Sequence, residues 1–341
     1  MRSGARARVR VAAAVALAAA AGAVAGCGSG SEGKVTIAVI GDTPYGDRQR
    51  SELPGLIAAI NADPLVTRVV HLGDIKNGVD PCSDQYLAWM RRQLDAFADP
   101  VIYTPGDNEW TDCDRQSAGG FVPTERLARI RRLFFSEPGR TIGERRMAVR
   151  TQAHTRDFQP LVENVMWREA GVVFATVHVV GSNDDLRPWR LGPTGVESEA
   201  QRRERLAEYW FRVLGTQAWL DRAFDWAEAT DAAGVVIAMH ADMWHPEAEG
   251  VDVAHDGYIP VVRRLAERSA GFGRPVLLVC GDSHEWRVGQ PLARGSTVHK
   301  VRTAALNLQQ IVVSGATTDV WLRLTIDASA GRLFSFREVR R

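Results

Sequence analysis

Val35-Thr36-Ile37-Ala38-Val39-Ile40-Gly41-Asp42-Thr43-Pro44-Tyr45 is a short, mostly β-branched run that stops at a glycine and continues into a carboxylate. Such a run reads as a strand buried in a mainly parallel sheet. The pattern recurs. Val66 to Leu72 leads into Gly73-Asp74-Ile75-Lys76-Asn77, and Val101 to Tyr103 leads into Pro105-Gly106-Asp107-Asn108-Glu109. Pro275 to Cys280 leads into Gly281-Asp282-Ser283-His284, Val235 to Met239 into His240-Ala241-Asp242, and Val172 to Val180 into Gly181-Ser182-Asn183. Polar residues therefore gather immediately after the strands, where an open α/β sheet places its ligand site.

Between these runs lie helical patterns, so the fold class expected is α/β. Ser83 caps a helix whose Leu87, Met90 and Leu94 share one face, a longer helix over 199–229 is interrupted at Gly215, and Ile259 to Ala270 ends at Gly271 as its C-cap. The last thirty residues change character: Gln310 to Ser314, Asp319 to Ile326 and Arg332 to Val339 read as antiparallel strands, with 327–331 as a turn. A segment over about 114–166 shows no clear strand and many arginines. It holds a helix from Thr124 to Phe135 with Leu127, Ile130 and Phe134 on one side. Its arginines read first as a solvated face, and alternatively as a cap drawing anionic substrate toward a nearby site.

The 341 residues carry a formal charge of +1, with 45% hydrophobic and 24% charged residues, which excludes a disordered or collagen-like chain. The first 26 residues stand apart. Arg2, Arg6, Arg8 and Arg10 precede an apolar run of only Val, Ala, Leu and Gly, as in an export signal. Val24-Ala25-Gly26-Cys27 then resembles a bacterial lipobox, which implies lipidation of Cys27 and a domain anchored on the extracytoplasmic face. Residues 27–34 read as a Gly/Ser tether and 35–341 as the domain. Removing those four arginines leaves 38 basic against 41 acidic residues, a net charge of −3. No basic excess exists to neutralise nucleic-acid phosphates. Gly28 to Lys34 imitates part of a phosphate loop, but Val35 stands where Ser or Thr should be, and the segment precedes a strand.

One Gly-Asp after a strand is an ordinary turn. Four that converge on one sheet edge would repel one another and raise their own pKa values unless a cation neutralised them. A metal centre is the simplest account, and two ions suit the number of ligands better than one. The ordered series resembles the calcineurin-like metallophosphoesterase superfamily, whose motifs are D-x-H, G-D-x-x, G-N-H-(D/E), a lone His after a strand and G-H-x-H. The resemblance covers about 35–288 and implies a four-layer α/β/β/α sandwich.

Carried over by position, the resemblance implies one metal at Asp42, Asp74 and His284 and another at Asp74, Asp107, His240 and Asp282. Pro44 stands where the first motif has His, and Asn108 replaces the histidine that steadies or protonates the leaving group. Carboxylate has replaced imidazole, which favours Mn, Fe, Mg or Ca over Zn. The implied chemistry is in-line attack on a phosphate ester by a metal-held hydroxide, with Asn108, His240 and His284 as catalytic residues and a phosphorylated small molecule as substrate. Lys76 and His245 are candidates to compensate for the missing acid, and Asn183 reads equally as a phosphate contact or a turn residue. The other outcome is a degenerate envelope lipoprotein that binds metal or a phospho-ligand without turnover.

Cys82 and Cys113 lie in loops after the second and third motifs, where an oxidising compartment would pair them. Cys280 reads as a buried thiol. His71 and His178 read as core residues, and His154, His255 and His299 as surface ones.

Overall fold

The computed structural model describes Met1 and residues 33–192, 195–245 and 255–341. The export signal, Cys27 and the tether as far as residue 32 lie outside the described residues. The β-branched runs form strands close to where their composition sets them: β1 (Val35–Ile40), β2 (Arg68–His71), β3 (Val101–Tyr103), then β4 (Arg150–Thr151), β5 (Val165–Glu169), β6 (Val172–Thr176), β7 (Gly234–Ala238) and β8 (Val276–Cys280). After them come β9 (Arg287–Gly289), β10 (Leu308–Val312), β11 (Val320–Ile326) and β12 (Phe334–Arg340). Two mixed sheets result, ordered β12-β11-β1-β2-β3 and β4-β5-β6-β7-β8-β10-β9. β1, β2 and β3 run parallel, as do β6, β7, β8 and β10.

Alternation of side chains explains the cores. Val35, Ile37 and Val39 of β1 share one buried cluster with Phe174, Val236, Leu277 and Ile311 of the other sheet. Ala38 and Ile40 point the other way, into a second cluster with α1 (Gly46–Asn61), α2 (Asp84–Asp95) and α3 (Pro123–Phe134). A third cluster joins Val235, Ile237 and Leu278 to the helices Glu199–Ala229 and Ile259–Phe272. The fold is thus α/β, with two mixed sheets sharing one core.

Several local expectations change. The last three strands are not one antiparallel set: β11 and β12 are antiparallel neighbours beside β1, whereas β10 joins the other sheet parallel to β8. The long stretch between β8 and β10 gives the chain room for the return crossover that a parallel pair requires. The helix Glu199–Ala229 runs unbroken through Gly215, where a Cβ would lie 2.1 Å from Leu161 Cδ1, so the glycine permits close packing and does not end the helix. The helix from Ile259 continues past Gly271 and stops at Gly273, whose φ of 67° is the left-handed conformation that glycine favours. His299 is buried against Trp244 with Nδ1 2.8 Å from Ser296 Oγ, contrary to its polar sequence context.

The arginine-rich stretch carries β4 and the start of β5, and its helix α3 is not a uniformly solvated face. Arg126 is buried and paired with Asp84 and Glu125, and Arg131 grips the buried Glu163 through Nε at 3.0 Å and Nη2 at 2.6 Å. His178 Nδ1 lies 2.8 Å from the same carboxylate. Burial alone would raise the Glu163 pKa, but Arg131 and His178 outweigh it and hold the carboxyl below its ordinary value of 4.5. Glu163→Gln should cost about 3 kcal/mol in urea unfolding at pH 7, because one charge of a buried set loses its partner. A depressed pKa means that this contribution is complete above the ordinary value and lost on acidification. The gap between the two proteins should therefore narrow as pH falls below about 4.5.

Candidate metal centre

The loops that leave β1, β2 and β3 in one sheet meet those that leave β7 and β8 in the other. Backbone bonds stitch them together: Asp42 N donates to Gly73 O at 3.0 Å and Gly281 N to His240 O at 2.9 Å. His240 Nδ1 lies 2.8 Å from Leu72 O, spanning the two sheets. Because a carbonyl only accepts, Nδ1 carries the proton and Nε2 faces the carboxylates, the tautomer a metal ligand needs.

Two triads follow from this convergence. Asp42, Asp74 and His284 each offer a ligand atom within 4.8 Å of the others, and so do Asp74, Asp107 and His240. Asp74 belongs to both. His240 Nε2 is 2.9 Å from Asp107 Oδ1, 3.3 Å from Asp74 Oδ1 and 3.8 Å from Asp282 Oδ1. Asp282 thus borders the second triad without joining it. His284, more exposed than the rest, has Nε2 3.5 Å from Asp42 Oδ1.

The backbone records how tightly these residues are held. Asp42, Asp74, Asp282 and His284 all have positive φ, at 54°, 53°, 74° and 62°. Left-handed conformation in non-glycine residues costs of order 1–3 kcal/mol each and persists only where the surroundings enforce it. The sequence pattern suggested that the glycines of the Gly-Asp pairs make the turns. At two of them the requirement is space: a Cβ on Gly106 would sit 2.2 Å from Asp74 Oδ1, and one on Gly281 would sit 2.4 Å from Asp42 Oδ2. Each glycine clears room for the carboxylate of a different loop.

Electrostatics describe a cluster in need of cations. Burial raises Asp74 well above the usual carboxylate range, with Asp107, Glu109 and Asp42 adding repulsion against the attraction of His240. Burial also lifts Asp282 to about 7. Burial opposes a charged His240, but Asp74, Asp107, Asp282 and Asp42 raise its pKa well above the ordinary value. For Asp107 the hydrogen bond and charge of His240 overcome burial and lower the pKa. The carboxylates thus favour the protonated form of the His240 imidazole. The donor set is hard, mainly oxygen, and oriented, so it fits divalent ions of the Mn, Mg, Ca or Fe type.

Asn108 reaches the cluster: its backbone N–H donates to Asp74 Oδ1 at 3.0 Å, and its Nδ2 donates to Asp74 Oδ2 and, at 3.1 Å, to Tyr45 Oη. Lys76 does not. It is buried and Nζ donates to the carbonyls of Asn77 and Asn108 at 2.7 and 2.6 Å, which fixes the loop. The Asn183 amide donates to Asp256 Oδ1 at 2.8 Å and accepts from Gly257 N at 2.9 Å. His245 stands 3.9 Å from Asp242, whose carboxylate is already held by Arg287, Ser283 and Gln310. His71 bridges Thr43 O and Gly73 N from the core, as a structural histidine would. Cys82 and Cys113 form a disulfide between the second and third loops, and Cys280 is a buried thiol.

Two groups escaped sequence reasoning. Tyr45 Oη donates to Asp74 Oδ2 at 2.7 Å and lies 3.3 Å from His284 Nε2, inside the first triad. Its nearness to Asp42 in the first loop was the available signal. Ser182 Oγ lies 3.0 Å from both Asp107 Oδ2 and Asp112 Oδ1, and nothing in its turn-like context marks it.

No family model matches the chain, and no curated protein does. Among solved structures it is similar to GAP50, the anchor in the inner membrane complex of Plasmodium, at 9% identity and a TM-score of 0.43, over 90% of this chain and 89% of that one. It is also similar to the purple acid phosphatase PPD1 from yellow lupin (Lupinus luteus) seeds, at 10% identity and a TM-score of 0.40, over 92% of this chain and 55% of that one.

If the two triads hold metal, Mn²⁺ at a few hundred times its Kd should stabilise the protein by about 3 kcal/mol in urea unfolding. Asp74→Asn, which touches both triads, should lose most of that gain. An equal gain in both proteins would put the metal elsewhere.

Proposed function

We propose that this protein is a metal-dependent phosphoesterase of the calcineurin-like type, built as a four-layer α/β/β/α sandwich. The observation that carries this reading is Asp74, one carboxylate shared by two ligand triads. The three hydrophobic clusters, one between the sheets and one under each helical layer, support the layer order. In this reading Asp42, Asp74 and His284 hold one divalent ion, and Asp74, Asp107 and His240 hold the other with Asp282 beside them. When bound, the two ions supply the Lewis-acid charge that polarises a phosphoryl group and activates a water.

The chain's own residues then set the character of the reaction. His240 is fixed by Leu72 O and cannot rotate away. Tyr45 and Asn108 hold Asp74 in register, and Tyr45 stays a neutral phenol because burial and the neighbouring carboxylates push its pKa well above 10.0. Asn108 carries no acidic proton for a leaving group. Hydrolysis should therefore slow steeply as the leaving group becomes more basic.

The disulfide suits an oxidising compartment, which fits an exported, lipid-anchored protein. Among the described residues no helix is long and apolar enough to cross a membrane. The same missing acid favours the second reading, a protein that binds metal and phosphate without turnover.

Turnover of para-nitrophenyl phosphate with Mn²⁺ distinguishes them. The phosphoesterase reading expects metal-dependent hydrolysis that falls by about 1,000-fold in Asp74→Ala and comparably in His284→Ala, as loss of charge stabilisation at the phosphoryl group requires. Metal binding with no hydrolysis would favour the second reading. Hydrolysis unchanged in both variants would sink the first.

A further inference from the structure

Arg115 lies just beyond the third Gly-Asp loop, and its neighbours hold it beside Asn108. Its Nη2 is 2.5 Å from Asp112 Oδ2 and its Nη1 donates to Gly78 O at 3.4 Å. Asp112 is buried and also accepts from Ser182 Oγ, which reaches Asp107 Oδ2. A Cβ on Gly78 would lie 2.4 Å from Arg115 Nη1 and 2.7 Å from Asn108 Oδ1, so guanidinium and carboxamide face one another across that glycine. On its other side the same carboxamide donates to Asp74 Oδ2. About a quarter of the Arg115 side chain, 28%, remains open to solvent, and Nε and one proton on each terminal nitrogen have no partner among the described residues.

We propose that Arg115 is the specificity-determining cation of this site and makes it selective for phosphate monoesters over diesters. The proposal rests on the phosphoesterase reading. A monoester presents three unesterified oxygens and two charges, a diester two oxygens and one charge. Divalent ions held by Asp42, Asp74 and His284 and by Asp74, Asp107 and His240 would supply charge to the oxygens that both substrates share. The third exists only in the monoester, and a guanidinium anchored by a buried carboxylate is suited to receive it, because its planar fork matches phosphate oxygens and needs little ordering on binding. Arg212, by contrast, is fully buried and taken up by Asp184 and Glu208.

The test compares wild type, Arg115→Lys and Arg115→Ala on para-nitrophenyl phosphate and its bis-ester, with Mn²⁺ affinity and inorganic phosphate inhibition measured on each. The ratio of monoester to diester kcat/KM should fall about 10- to 100-fold in Arg115→Ala, the scale of one charge-assisted hydrogen bond, and the inhibition constant for phosphate should rise in step. Arg115→Lys should recover only part of the loss. Mn²⁺ affinity should stay within about twofold throughout. An unchanged ratio, or an equal fall for both esters with weakened Mn²⁺ binding, overturns the assignment and leaves Arg115 as a loop brace. Wild-type protein that binds Mn²⁺ but neither binds phosphate nor hydrolyses either ester overturns the phosphoesterase reading along with it.

Discussion

Four carboxylates at the ends of strands from two sheets cannot remain charged together in a buried setting unless positive charge lies among them. That repulsion is the constraint on which the rest of this structure depends. The folded chain meets it with one buried imidazole, His240, whose proton is favoured by Asp74, Asp107, Asp282 and Asp42. Its fixed Nδ1 bond to Leu72 O means that the nitrogen facing the carboxylates can carry a proton or offer a lone pair to a metal without any movement of the ring.

The cost of assembling such a cluster is spread over the backbone. Positive φ at Asp42, Asp74, Asp282 and His284, together with glycines that leave space for carboxylates of other loops, ties the loops into a ring in which each depends on its neighbour. The sheets supply the rigid ends, the Cys82–Cys113 disulfide links the second and third loops, and Lys76 fastens two loop carbonyls from beneath. Sites held this closely suit chemistry that demands fixed geometry more than chemistry that demands motion.

Strands were legible because buried parallel strands need β-branched, nearly continuous apolar runs, and β1, β2, β3, β7 and β8 all fall within a few residues of theirs. Five of the six candidate ligands meet in the two triads, because a carboxylate or imidazole directly after such a strand is delivered to the same sheet edge, and Asp282 stands beside them. What failed depended on long-range contact. The sheet that β10 joins is set by the path of the preceding loop, Gly215 is required by Leu161 from another segment, and Arg131 is inside because Glu163 is there to receive it. Lys76 and Asn183 make hydrogen bonds that their motifs did not announce. Tyr45 entered the site because two neighbouring loops aim a carboxylate and an imidazole at its phenol.

The central claim is that two metal ions share Asp74. Crystals grown with Mn²⁺ and measured with X-rays at the manganese absorption edge test it most directly. The account predicts two anomalous peaks, one bounded by Asp42, Asp74 and His284 and the other by Asp74, Asp107 and His240, about 3.5–4 Å apart as in other two-metal sites. A fully occupied crystal with no peak at Asp74, or with manganese bound only elsewhere on the protein, would contradict it.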